Sequence, residues 1–165
     1  MRMRRTALWY RVVLWVLTVA MAAFILSLSL QPATQSDTLS TSLTHEVLSC
    51  FPSYRELPLP QQEAVRLSVN DILRAIAHIA EFTLLGFFLS LLCHSYLPRR
   101  WFALSFPIGA VFAVADECVQ KFCAPGRAMQ FVDLLKDWMG GLLGALFAFL
   151  IICLIRRRHK RRRSC

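Results

Sequence analysis

Residues 116–144 read DECVQKFCAPGRAMQFVDLLKDWMGGLLG. The breaker Pro125-Gly126 divides the stretch into the end of one apolar helix and the start of another. Each helix carries carboxylates where it nears the break: Asp116 and Glu117 before it, Asp133 and Asp137 after it. An ionised side chain at a bilayer centre costs from about 2.5 kcal/mol on insertion scales to more than about 10 in simulations, so acids kept in apolar helices point to a buried polar site.

Working outward, the chain is 56% hydrophobic with 12 Phe and 4 Trp, and its mean hydropathy is +0.50. That is richer in apolar residues than an ordinary soluble domain. Four runs, at about 8–30, 72–96, 102–122 and 131–155, are each near or above the roughly 20 residues that cross a hydrocarbon core. Lipid-exposed backbone must satisfy its own hydrogen bonds, which selects an all-α, polytopic membrane bundle of four transmembrane helices. Residues 1–155 form one transmembrane domain, with an outer loop at 31–71, and 156–165 form a basic tail.

The first run follows Arg2, Arg4 and Arg5 like a secretory signal, but its apolar stretch is too long for one and reads as an uncleaved anchor. Cleavage between Ser29 and Ala33 would leave three spans in the same orientation. Cytoplasmic loops carry excess Lys and Arg. Those residues cluster at the start of the chain (with Arg11), at Arg99 and Arg100 between spans two and three, and at Arg156–Arg163, and none of the ten acids joins them. Both termini are therefore expected in the cytoplasm, in a multi-pass protein of the cell membrane. A basic tail flush against a span serves topology and attraction to anionic lipid, so the pI near 9.9 does not imply nucleic acid.

In this orientation the ionisable groups of spans two to four, His94 apart, fall in the outer leaflet. Residues three or four apart share a helix face. Arg74, His78 and Glu81 form one polar stripe, Asp116 with Gln120 a second, and Asp133 with Asp137 a third. Glu117 and Arg127 complete the candidate cluster. The expected pairing sets Arg74 and Arg127 against the carboxylates, with His78 bridging, and the dipole of span four favours acids at its start.

Gly140 and Gly144 form a small-x-x-x-small pair that suits close packing against span two or three, or a homodimer face. Pro107 and Gly109 are expected to bend span three and open room beneath Asp116. In the outer loop, Pro52, Pro58 and Pro60 divide two short helices, about 38–49 and 61–70, that cap or lid the cluster. The six cysteines follow no metal-binding spacing, and a disulfide from Cys50 to Cys118 or Cys123 stays open. No metal or cofactor is expected.

Asp116-Glu117, Gln120, Pro125-Gly126-Arg127, Asp133, Asp137, Gly140 and Gly144 resemble the second signature of the VanZ-like family. Arg74, Ala77-His78, Glu81 and Leu85-Gly86 resemble its first, and Ser29, Gln31-Pro32, Ser36 and Ser40 its opening after the first span. The resemblance covers roughly residues 10–150. Ala75, Phe82 and Ala128 depart from it where Lys, Tyr and Ser are usual, which removes a cation and two hydroxyls. The resemblance implies a cell-envelope role, the founding member being associated with resistance to glycopeptides, teicoplanin in particular.

Three functions follow as expectations. The leading one is a binding protein whose outer cluster takes membrane lipid, a lipid-linked cell-wall intermediate or a glycopeptide, with Arg74 and Arg127 suited to phosphate or carboxylate. The second is a membrane-embedded enzyme, with Glu81 or Asp116 as general base, His78 as shuttle and a divalent ion on Asp116, Glu117 or Asp133. No nucleophile motif stands beside the cluster. The third is a small transporter, disfavoured because the inner halves of the spans supply almost no polar lining.

Overall fold

The computed structural model describes residues 2–127 and 130–163, with side chains for 8–127 and 130–158. Ala128, the sixth cysteine Cys165 and the side chains of the terminal basic runs at 2–5 and 160–163 lie outside the described residues. The elements are α1 (Arg2–Ser29), α2 (Ala33–Ser49), α3 (Pro52–Arg55), α4 (Leu59–Tyr96), α5 (Trp101–Cys123) and α6 (Phe131–Arg163). There is no strand among the described residues, and α1, α4, α5 and α6 are long and apolar enough to cross a membrane. Their exposed faces carry Trp9, Val16, Val111 and Leu154, as a lipid-facing surface requires.

Prolines set most of the breaks. Pro32 and Pro58 precede α2 and α4, and Pro52 opens α3, positions where the missing N–H costs nothing. The turn between α5 and α6 places Gly126 at φ +78°, a left-handed conformation natural to glycine. A Cβ there would also lie 3.3 Å from Ala33. The Ala33 N–H donates to the Pro125 carbonyl at 3.1 Å, tying the start of α2 to this turn.

Helix α4 differs from the sequence expectation of a loop helix followed by a span. It is one helix of 38 residues, about 57 Å at 1.5 Å per residue, so it outruns a hydrocarbon core of about 30 Å. No proline or glycine lies between Gln61 and Gly86, and Asn70-Asp71 are only mildly poor helix formers. Helix α2 runs antiparallel to the extension: Asp37 pairs with Arg74, while farther along α2 the Thr44 hydroxyl donates to Asn70 Oδ1 at 3.2 Å. Thr44 and Leu48 are buried in this contact.

The tightest packing joins α4 to α6. A Cβ on Gly86 would lie 2.6 Å from the Gly141 carbonyl, one on Gly140 2.5 Å from that of Ile79, and one on Gly144 would meet the Thr83 carbonyl and the Phe87 N–H. The close approach expected of Gly140 and Gly144 is thus made within the chain. α4 occupies their face, and a homodimer through them would have to displace it. Ile25, Phe82, Leu85, Ala113 and Leu134 form the apolar core below, where the rings of Phe82 and Phe112 meet at a tilt with centroids 6.1 Å apart. Phe82 therefore fills space in a dry core where a tyrosine would need a partner for its hydroxyl.

The two ends of the bundle differ in character. At one, Arg11 donates to the Ser95 carbonyl at 2.8 Å and Arg156 to His94 Nε2 at 3.1 Å, so the start of α1 and the end of α6 share a side with the α4–α5 turn and its Arg99 and Arg100. The other end carries α2, α3 and the α5–α6 turn. Pro107 lies inside α5 without interrupting it. The nearby cavity, beside Gly109 and Asp137, is about 20 Å³, room for one water.

Candidate functional site

Beneath α2 a recess of about 480 Å³ opens between α1, α4, α5 and the α5–α6 turn. Its position follows from the helices. At 1.5 Å per residue Glu81 stands about 22 Å from the far end of α4, which puts it about 8 Å inside the near surface of a 30 Å core. The recess is therefore sunk to headgroup depth and slightly beyond. Leu39 and Leu43 of α2 and Leu73 of α4 add apolar wall to its polar lining.

On the α1–α5 side, Ser29 donates to Asp116 Oδ1 at 2.6 Å and the Gln120 amide donates to Asp116 Oδ2 at 3.0 Å. All three are buried. Ser29 closes α1 and Asp116 and Gln120 lie one turn apart on α5, so this triad fixes the depth of α1 against α5. Across the recess, His78 Nδ1 lies 3.1 Å from Asp137 Oδ1, within hydrogen-bonding distance of a carboxyl group that has no exposure at all. The imidazole itself faces the recess.

The arginines stand at the rim. Arg74 pairs with Asp37 at 2.6 Å, and Arg127 donates to the Ser36 hydroxyl at 2.6 Å. Neither forms an ion pair with a span carboxylate among the described residues, contrary to the expected pairing. The reason is position: Arg74 lies a turn above His78 and reaches α2, and Arg127 lies on the turn that α2 abuts. Burial, and then Arg74, push the Arg127 guanidinium below the usual arginine range. It remains cationic, since arginine does not lose its proton in proteins.

Of the candidate cluster, Arg74, His78, Glu81, Asp116, Gln120, Arg127 and Asp133 all line the recess. Glu117 and Asp137 do not. Both are fully buried behind its wall. Glu117 accepts from the Gln130 backbone N–H at 3.1 Å, and its Oε1, Asp137 Oδ2 and Arg127 Nε have no hydrogen-bond partner among the described residues. Lys136 holds Asp133 at 2.6 Å. Among the described residues no three His, Cys, Asp or Glu side chains converge as a metal donor set. Glu117, adjacent to Asp116 and so turned about 100° from it on the helix, bonds to Gln130, away from the Asp116 triad.

Sequence reasoning passed over Asp37, Lys136 and Gln130 as site residues. Only Lys136 carried a signal, its i, i+3 spacing from Asp133. Among the described residues no disulfide joins Cys50, Cys118 or Cys123, nor Cys93 or Cys153.

Four spanning helices enclosing a charged recess at one end define a polytopic α-helical membrane protein. The sequence matches the VanZ/LLP1 family over residues 14–154, and the chain belongs to that family. The match covers the recess and most of each of the four spans. Neither a curated protein nor a solved structure matches the chain.

Proposed function

We propose that this protein is a multi-pass protein of the cell membrane that binds a polar or lipid-linked envelope ligand in the recess, which opens to the outer face. The observation that supports this most is the mixed charge of a partly enclosed volume of about 480 Å³ at headgroup depth. Arg74 and Arg127 stand at its rim, His78, Glu81 and Asp116 lie deeper, and apolar residues of α2 border it. A lattice serving only to hold helices together would leave no such volume. Acids and bases would close on one another, as Lys136 and Asp133 do. A contribution to glycopeptide tolerance of the teicoplanin type would act through this recess, by altering access to a lipid-linked cell-wall intermediate.

Asp116→Asn and Arg127→Ala test the reading. Each is expected to abolish protection against teicoplanin in cells that depend on the protein for it, with membrane abundance near wild type. Loss of both variants from the membrane would assign the cluster to scaffolding instead.

A second reading rests on His78. It faces the recess while buried Asp137 holds its other side, the base-and-orienter arrangement of acid/base catalysis. Conversion of a lipid-linked substrate by the purified protein, lost in His78→Gln, would favour an enzyme over a binding module.

A further inference from the structure

The charges left over in the recess specify more than a generic polar ligand. Asp37 is occupied by Arg74 and Asp133 by Lys136. Among the described residues Asp116 receives hydrogen bonds only from the neutral donors Ser29 and Gln120. Glu81 lines the same space and has no ion pair or hydrogen bond among the described residues. The Arg127 guanidinium at the rim is cationic and, among the described residues, bonded only to the Ser36 hydroxyl, with its Nε unpartnered. The unspent charge is thus one guanidinium at the mouth and two carboxylates farther in.

A simple anion meets the guanidinium but is repelled by Glu81 and Asp116. A simple amine does the reverse. Both demands are met by one molecule carrying an anionic group and, a short linker away, a cation with N–H donors. From this geometry, and resting on the reading of the recess as a ligand site, we propose that it takes an aminoalkyl phosphate: the phosphate on Arg127, the primary ammonium on Glu81 and Asp116. Arginine presents a fork of donors matched to phosphate oxygens. An ammonium brings three N–H donors to the carboxylates, where a quaternary amine would bring none. The apolar wall from Leu39, Leu43 and Leu73 suits acyl chains, which points to a phosphatidylethanolamine headgroup as readily as to the free phosphoester.

The test uses the full chain purified in detergent, with phosphoethanolamine as probe and binding read by calorimetry. Saturable binding is expected, at least tenfold tighter than that of inorganic phosphate, ethanolamine or phosphocholine. Glu81→Gln and Arg127→Gln are each expected to weaken it tenfold or more. Asp116→Asn, which keeps an acceptor for Ser29, serves as a second acid variant should Glu81→Gln fold poorly. Extraction from mixed bilayers separates the sources. Phosphatidylethanolamine retained over phosphatidylglycerol by wild type but not by Glu81→Gln identifies a lipid headgroup. Phosphoethanolamine binding without such retention identifies a soluble ligand. If inorganic phosphate binds as tightly as phosphoethanolamine and Glu81→Gln changes nothing, the ammonium half is wrong while a recess for anions stands. If no probe binds and no lipid is retained, the inference falls. Failure of the broader reading is seen separately, in Asp116→Asn and Arg127→Ala cells that keep their protection.

Discussion

A single methyl group at Gly144 should separate the two helices that carry His78 and Asp137. The added Cβ would meet the Phe87 nitrogen at 2.5 Å and the Gly86 carbonyl carbon at 3.0 Å, against ordinary contacts of 3.4–4 Å. These neighbours are backbone atoms that cannot rotate away, so α6 must retreat from α4 by about 1 Å, and overpacking of this kind costs about 1–3 kcal/mol. The folded-to-unfolded ratio then falls roughly 5- to 150-fold. The His78–Asp137 contact, 3.1 Å across the same pair of helices, would stretch past hydrogen-bonding range. Gly141→Ala is the control: nothing lies within 4 Å of its added Cβ, and the change restores up to about 1 kcal/mol of helix propensity. Unfolding of both variants by SDS in mixed micelles, followed by tryptophan fluorescence, reads the difference. Equal stability of Gly144→Ala and wild type would refute the packing argument. A loss of dimer with monomer stability unchanged would move the glycine face to an interface between copies.

Removing the imidazole in His78→Ala leaves Asp137 buried without its partner, a loss of about 3–5 kcal/mol, to be seen as a sharp fall in melting temperature. Asp37→Ala, by contrast, breaks a pair whose side chains are 38% and 60% exposed, and should cost no more than about 1 kcal/mol in the same melting experiment. Ser29→Ala deprives buried Asp116 of its 2.6 Å donor and should destabilise by about 1–3 kcal/mol, with Ser29→Thr restoring most of it. In a cysteine-free background, Glu46→Cys is expected to react with an impermeant thiol reagent from outside the cell and Arg100→Cys only after permeabilisation. Reaction of both from one side would overturn the orientation.

The spans were legible because each is an apolar run bounded by charge, and the depth of the polar stripes followed from counting along them. Which side of each stripe faced the recess was not. Asp116 and Glu117 are sequence neighbours about 100° apart on the helix, and periodicity alone does not say which of them turns toward α1. Asp133 and Asp137 share a face, yet one lines the recess and the other is sealed behind His78, a difference set by how α4 crosses α6 at the glycines. The role of α2 was hidden for another reason. Ser36 and Asp37 sit in a polar, proline-led segment that reads as loop, and their value lies in partners far along the chain, Arg127 and Arg74. The extension of α4 is not legible in the sequence because the change from polar to apolar composition near Asp71 mimics a helix boundary, although no backbone breaker stands there.

Water access to Glu81 tests the recess most directly. With native cysteines replaced, Glu81→Cys should react with an impermeant, cationic thiol reagent added outside intact cells. Phe82→Cys, one residue on and 2% exposed, should stay silent. Glu81→Cys as unreactive as Phe82→Cys would mean that no open charged recess exists at this end of the bundle.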